Sequence, residues 1–164
     1  MTTDRLITLR AAAIRGAGAG LVGVIAMTAG EKLEQQVTRR PNSYVPARAL
    51  LTLLGKKPSD DETPEAWNHA MHWSTGALLG ALRGAWAATG IRGTEANIAH
   101  TAIRLAFDQT VENATGVGAP PSTRPALERS VDVGHKALYS VVTGMVADRW
   151  VAPRLQSQRG TTSH

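Results

Sequence analysis

Four ionisable residues recur at intervals of four in the second half of the chain: His100, Arg104, Asp108 and Glu112. On a helix, this spacing places them along one slowly drifting face. Inside a membrane, such a face is typical of a proton or ion relay, or of a set that anchors a substrate, because intramembrane charges are costly and need a partner or a cavity. The alternative is a ladder of ion pairs on a helix surface, with Arg104 paired to Asp108. Because such ladders are common, we favour the structural role and keep the relay as the second hypothesis.

A metal site is a different hypothesis for the histidines and carboxylates. Helical bundles that bind two metal ions use carboxylates and Glu-x-x-His pairs that project from neighbouring helices. Here Asp132 stands three residues before His135, but Ala66 occupies the matching position before His69, so the pattern is incomplete. The candidate ligands are His72, Asp108, Glu112 and His135. The sequence does not identify a cofactor.

Arg83 is a third candidate, because it lies beside Gly80 and Gly84 on a segment that otherwise carries apolar residues. A buried arginine needs a carboxylate on a neighbouring helix, and we expect Asp108 or Glu112 to supply it. The pair would either gate a conformational change or fix how the helices are aligned. We favour the second role.

Helices must position these residues, and the sequence predicts an all-α fold. Its apolar segments predict a bundle of about four helices, which we expect to be transmembrane, at 11–37, 67–89, 95–114 and 127–150. A short amphipathic helix is predicted near 45–54, where four leucines stand between Arg48 and Lys56. We expect one helical domain over residues 1–155, followed by a disordered tail over 156–164.

Glycines at helical spacing favour a membrane-embedded bundle. The stripes consist of Gly16, Gly20 and Gly23 on the first helix and of Gly76, Gly80 and Gly84 on the second. Small residues at this spacing let transmembrane helices touch backbone to backbone. In water, a glycine inside a helix costs about 1 kcal/mol relative to alanine, so such stripes are poorly placed in a soluble bundle.

The bulk composition keeps a soluble alternative open. No stretch reaches the roughly 18 apolar residues that identify a span, and the mean hydropathy is −0.14. A soluble helical scaffold that oligomerises through its glycine faces is therefore the alternative architecture. The net charge of +5 is scattered along the chain, which suits an anionic lipid surface better than nucleic acid.

The expected partners follow from these arguments. We expect the lipid bilayer as the main partner, no nucleic acid, and either a homo-oligomer or a place as a subunit of a membrane complex. The arginines before the first apolar run could also belong to a signal peptide, but no clean small-x-small cleavage site precedes Glu31. The sequence lacks a nucleophile elbow, a phosphate loop, a dinucleotide fingerprint and a zinc-protease motif, so it does not support catalysis.

Three stretches carry a family resemblance: GAGAGLVGVIAMTAGEKLE (16–34), MHWSTGALLGALRG (71–84) and DQTVENATGVGAPP (108–121). Together they resemble uncharacterised small multi-helix membrane proteins of actinobacteria and are more distantly similar to the YagU-like inner-membrane proteins of enterobacteria. The resemblance implies a location in the bacterial inner membrane and leaves the activity undefined. The expected function is that of a small integral membrane protein, structural or related to transport or stress.

Overall fold

The protein is an all-helical bundle in the computed structural model, which describes residues 3–156. Five α-helices follow one another: α1 Thr3–Thr38, α2 Val45–Leu53, α3 Glu65–Thr89, α4 Gly93–Thr115 and α5 Ala126–Trp150. A short 3₁₀ turn, Pro121–Thr123, precedes α5, and residues 3–156 contain no strand. The prediction of an all-α fold is confirmed. The predicted tail 156–164 lies, apart from Gln156, outside the described residues.

The first helix is longer than predicted, because it begins at Thr3 and not near residue 11. Neither proline nor glycine interrupts residues 3–15, and Asp4 lies in the first turn, where a negative charge favours the helix N-terminus. The other long helices differ from the predicted bounds by one or two residues. Gly90 and Gly116 end α3 and α4 in the left-handed conformation, with φ of +92° and +69°.

Glycine faces hold α1 against α3. A Cβ atom added at Gly80 would lie 2.6 Å from Cα of Gly20, and one added at Gly84 would lie 2.6 Å from Cα of Gly16. Gly76 packs against Val24 of α1, while Gly23 of α1 faces the backbone of Tyr139 on α5. The two helices therefore touch through their backbones, which only residues without side chains permit.

The remaining helices pack around this pair. α5 lies against α1 and α4, and the short α2 lies against α3 and α4. Because α1, α3, α4 and α5 run alternately in opposite directions, Arg15 near the start of α1 reaches Trp150 at the end of α5, with Nη1 3.4 Å from the carbonyl oxygen. Gly30 in the second half of α1 likewise faces Leu138 in the first half of α5, as antiparallel packing of these two helices requires.

The interior of the bundle combines small apolar residues, most of them alanine, with polar ones, whereas large apolar side chains lie on its surface. The buried polar residues are Thr75, Arg83, His100, Arg104, Lys136, Ser140 and Thr143. By contrast, large hydrophobic side chains are exposed on every long helix: Ile14 at 74%, Leu78 at 59%, Ile98 at 67% and Met145 at 66%. Large apolar side chains are thus exposed on each long helix, while arginines of α3 and α4 are buried.

One helix of the described residues, α1, is long and apolar enough to cross a membrane by length and composition. A buried core helix or a signal sequence can have the same two properties. The apolarity of α1 is therefore weak support for membrane association.

Candidate functional site

Arg83 forms a two-pronged ion pair at one end of the bundle. Its side chain is fully buried, and Nη1 and Nη2 donate to the two carboxylate oxygens of Asp148 at 2.9 and 3.0 Å. Nη2 also lies 3.2 Å from Oδ1 of Asn97. The prediction that Asp108 or Glu112 would pair with Arg83 is wrong, because α4 runs antiparallel to α3 and carries both carboxylates to the opposite end.

Further contacts fix the carboxylate of Asp148. Its Oδ2 atom accepts a hydrogen bond from the backbone N–H of Gly93 at 3.0 Å, and Nε of Arg92 lies 3.7 Å from Oδ1. Arg92 also donates to the backbone carbonyl oxygens of Asp148 and Val151. We call Arg83, Arg92, Asn97 and Asp148 the Arg83 cluster. It joins the end of α5 to the α3–α4 turn.

Two buried rings form a layer in the middle of the bundle. His100 lies with Nε2 3.0 Å from the carbonyl oxygen of Leu79, and the hydroxyl of Tyr139 donates to the carbonyl oxygen of Gly76 at 2.7 Å. The ring centroids of His100 and Tyr139 are 5.5 Å apart. The backbone carbonyl oxygens of Leu79 and Gly76 on α3 therefore bind side chains of α4 and α5, in addition to their place in the helix.

A second group of charges lies at the other end of the bundle. Nε of Arg104 donates to Oδ2 of Asp108 at 3.1 Å, and the same oxygen lies 3.3 Å from Nζ of Lys136. Lys136 also donates to both carboxylate oxygens of Asp132, at 2.6 and 2.7 Å. We call Arg104, Asp108, Asp132 and Lys136 the Arg104 cluster. Each of the two helices, α4 and α5, contributes one cation and one carboxylate to this cluster.

Arg104 keeps a free donor beside a cavity. The residue is 3% exposed, its guanidinium lies 5.0 Å from the ring centre of Tyr139, and within residues 3–156 its Nη1 atom has no hydrogen-bond partner. A cavity of about 110 Å³ adjoins it. The polar lining includes Glu31, Arg40, His72, Arg104, Asp108, Asp132, His135 and Lys136. The cavity thus brings together ionisable groups from α1, α3, α4 and α5.

Three of the four candidate metal ligands line this cavity. His72, Asp108 and His135 belong to its wall, whereas Glu112 binds Arg124 and lines a different cavity. Within residues 3–156, no three His, Asp or Glu side chains are close enough together to hold a metal ion. The structure therefore brings three of these residues to one place without forming a ligand shell.

A larger groove lies beside the cavity, between the second half of α1, the loop 39–44 and the start of α3. Its volume is about 610 Å³. Glu31, Ser43 and His72 line both the groove and the cavity. On the outer side of this region, hydrogen bonds from Thr38 and Arg40 lower the pKa of Glu34, which keeps this carboxylate charged.

The sequence argument missed Asp148, Lys136 and Arg40. Lys136 could have been found from Asp132, because the two residues are four apart on one helix face. Little in the sequence indicated that Asp148 would be part of a site, since it stands beside Arg149 at the end of α5, where a charge is ordinarily solvated. No protein-family model, curated protein or solved structure matches this chain.

Proposed function

We propose that the protein is a small integral membrane protein whose helices α1, α3, α4 and α5 cross the bilayer, and that its polar cavity serves transport. The observation that carries the proposal is the combination of buried charges with large exposed aliphatic side chains. Lipid can cover an apolar surface, but it cannot solvate charges, which therefore turn toward the bundle interior. An inner-membrane location, which the resemblance to YagU-like proteins implies, is part of this proposal.

Uncharged stretches of α1 and α3, which we call the belt, support the proposal. Gly16 to Gly30 of α1 carry no charge, and Trp73 to Ala88 of α3 carry only the buried Arg83. At about 1.5 Å per residue, these stretches extend about 22 and 24 Å. The hydrocarbon core is about 30 Å thick, so Arg10 and Arg15 would reach the headgroups by extending their side chains outward.

Tryptophans mark both edges of this belt. Trp67 and Trp73 lie at the start of α3, while Trp86 and Trp150 lie at the ends of α3 and α5. Because α3 and α5 run in the same direction, Trp86 and Trp150 lie at one end of the bundle, and Trp67 and Trp73 lie at the other. Tryptophan is enriched where a membrane protein meets the headgroups, since its ring is apolar and its N–H is polar.

The two charge clusters support a role in transport. The Arg104 cluster borders a cavity and keeps an unused donor, whereas the Arg83 cluster ties together the opposite end of the bundle. This arrangement resembles a vestibule open on one side of a membrane and closed on the other. A substrate or proton entering the vestibule would meet Glu31, His72 and Asp108 first.

Cysteine labelling tests the membrane proposal, because the chain has no native cysteine. Single variants Leu78→Cys, Met27→Cys and Asp61→Cys would be treated, in open membrane fragments, with a small water-soluble methanethiosulfonate. Leu78 is exposed on the belt, Met27 is buried but lines the cavity, and Asp61 lies in an exposed loop. We expect the loop cysteine to react fastest, the cavity cysteine more slowly, and the belt cysteine only after detergent denaturation.

A soluble scaffold gives the opposite result. Leu78→Cys would then react as fast as Asp61→Cys, and Met27→Cys would be protected. Washing the membranes with high salt and carbonate would in that case release the protein. Either result would overturn the proposal, because it requires exposed apolar residues to be hidden from water.

A further inference from the structure

The groove beside the cavity has two chemically different halves. Ile25 and Ala29 of α1 and Trp73 of α3 form an apolar wall, with Ile25 57% exposed and Trp73 40% exposed. Glu31 and His72 lie at the polar end, where the groove meets the cavity. A volume of about 610 Å³ is that of a small-molecule site. Its shape and lining fit a molecule with one apolar part and one polar head.

The polar end offers hydrogen-bond acceptors in excess. Within residues 3–156, Oδ1 of Asn68 and Nδ1 of His72 are buried without a hydrogen-bond partner. Both residues line the groove. An amide oxygen can only accept a hydrogen bond, and Nδ1 of His72 accepts one in the tautomer that is protonated at Nε2. Because burying such atoms unpaired is costly, they indicate a ligand that donates hydrogen bonds.

The charges of the lining favour a cation. Glu31 and Glu65 line the groove, whereas Lys32, its one lysine, already donates to Gln35 and Asn42 at 3.1 and 2.7 Å. Glu65 accepts only a long hydrogen bond of 3.3 Å from the hydroxyl of Tyr44 among the contacts of residues 3–156. Glu31 accepts a long hydrogen bond of 3.4 Å from Gln35 and lies 4.0 Å from Nη2 of Arg40. A carboxylate has room for several donors, so both glutamates can accept more.

We propose that this groove binds an amphipathic molecule with a primary ammonium head and an alkyl tail. The ammonium carries three donors and no acceptor, which matches Glu31, Asn68 and His72. The tail would lie along Ile25 and Trp73, on the uncharged belt. The source is either a free lipophilic amine or the ethanolamine headgroup of a phospholipid, which share this chemistry. The inference rests on the proposed membrane function and names the substrate class of the vestibule.

Binding of n-octylammonium to the full chain in phosphatidylcholine nanodiscs tests the proposal by calorimetry. Octanoate reverses the charge, and octyltrimethylammonium keeps the charge but lacks the N–H donors. We expect octylammonium to bind at least about tenfold more tightly than either, because hydrogen bonds to charged groups are strong. Equal binding of the three compounds would overturn the proposal, because only their shared alkyl chain would then matter.

Variants locate the site. Glu31→Gln should weaken octylammonium binding about tenfold, and Asn68→Leu about threefold. Asn68→Leu removes an acceptor that has no partner, so folding should be preserved. Glu62→Gln is the matched control, since Glu62 is an exposed carboxylate of the loop between α2 and α3 and does not line the groove. An unchanged affinity in both Glu31→Gln and Asn68→Leu would overturn the site.

Phosphatidylethanolamine in the nanodiscs distinguishes the two sources. If it competes with octylammonium, the headgroup is the native occupant; if it does not, a free amine is. Failure of the membrane proposal is separable, because the cysteine labelling reports on it directly. A belt cysteine that reacts in water, together with binding that depends on Glu31, would retain the groove as a site and overturn only the membrane proposal.

Discussion

The Arg83 and Arg104 clusters contain similar pairs but use them differently. Both arginines are buried, at 0% and 3% exposure, and their carboxylate partners are about equally exposed, at 20% and 18%. Both terminal nitrogens of Arg83 donate to Asp148, and Nη2 also donates to Asn97, whereas Arg104 donates to Asp108 through Nε. Within residues 3–156, Nε of Arg83 and Nη1 of Arg104 have no partner. Asp108 is moreover shared with Lys136.

This difference separates a structural ion pair from a candidate site. A buried pair held by several hydrogen bonds fixes helix alignment, because moving either helix breaks these bonds together. A buried cation beside a cavity can exchange partners with water or ligand. Burial alone does not distinguish the two, since the clusters are equally buried. An unpaired donor does not distinguish them either, because Nε of Arg83 and Nη1 of Arg104 both lack a partner within residues 3–156. The clusters differ in the two-pronged pairing of Arg83 with Asp148 and in the cavity beside Arg104.

The largest expected effect is at the Arg83 cluster. Asp148→Ala leaves the buried guanidinium of Arg83 without a counter-charge and should lower the free energy of unfolding by about 3–5 kcal/mol. Titration of detergent-solubilised protein with sodium dodecyl sulfate, followed by circular dichroism, measures it. The double variant Arg83→Met/Asp148→Leu should recover part of the loss, since it removes both charges. A loss of similar size from Asp148→Ala and from a surface variant would contradict a structural role.

An intermediate loss of stability is expected when a glycine at the α1–α3 backbone contact is replaced by alanine. Gly84→Ala places a methyl group 2.6 Å from Cα of Gly16, so the backbones must separate, at a cost of about 1–3 kcal/mol. Gly30→Ala is the matched control, because its methyl group would meet only the flexible end of Leu138, at 2.8 Å. It should change stability by less than about 1 kcal/mol. Equal losses in the same titration would show that the backbone contact is not what matters.

The smallest effect is expected at the Arg104 cluster. Asp108→Asn should cost about 1 kcal/mol or less, since Lys136 keeps Asp132 and water in the cavity can solvate Arg104. Asp60→Asn, which affects an ion pair of a 95% exposed aspartate with Arg48, sets the baseline near zero. A loss from Asp108→Asn as large as that from Asp148→Ala would make the two clusters equivalent and remove the distinction drawn between them.

The sequence predicted the helices well because their signals are local. Glycine caps and apolar periodicity placed α3, α4 and α5 within two residues of their observed bounds. The start of α1 was missed because residues 3–10 are polar enough to look like a leader, although nothing in them breaks a helix. The transmembrane character, the oligomeric state and the YagU-like relationship stay predictions.

The ion-pair partners of the buried arginines could be predicted only in part. The Arg104–Asp108 pair lies within one helix, so the four-residue spacing revealed it. The partner of Arg83 depends on the direction and depth of every helix, which a single sequence does not encode in any local pattern. Asp148 is 65 residues away from Arg83 along the chain. The same argument explains why the groove was missed, since its acceptors come from separate helices and a loop.

The charge-free middle of α1 has a consequence for biogenesis. In a bilayer, α1 could be inserted by itself, whereas α3, α4 and α5 each carry a buried cation that needs a partner from another helix. The glycine face of α1 would then offer a docking surface to α3 as it emerges from the ribosome. The charge of Arg83 would be neutralised only when Asp148, near the end of α5, reaches it. The bundle would thus become locked only after α5 has been inserted.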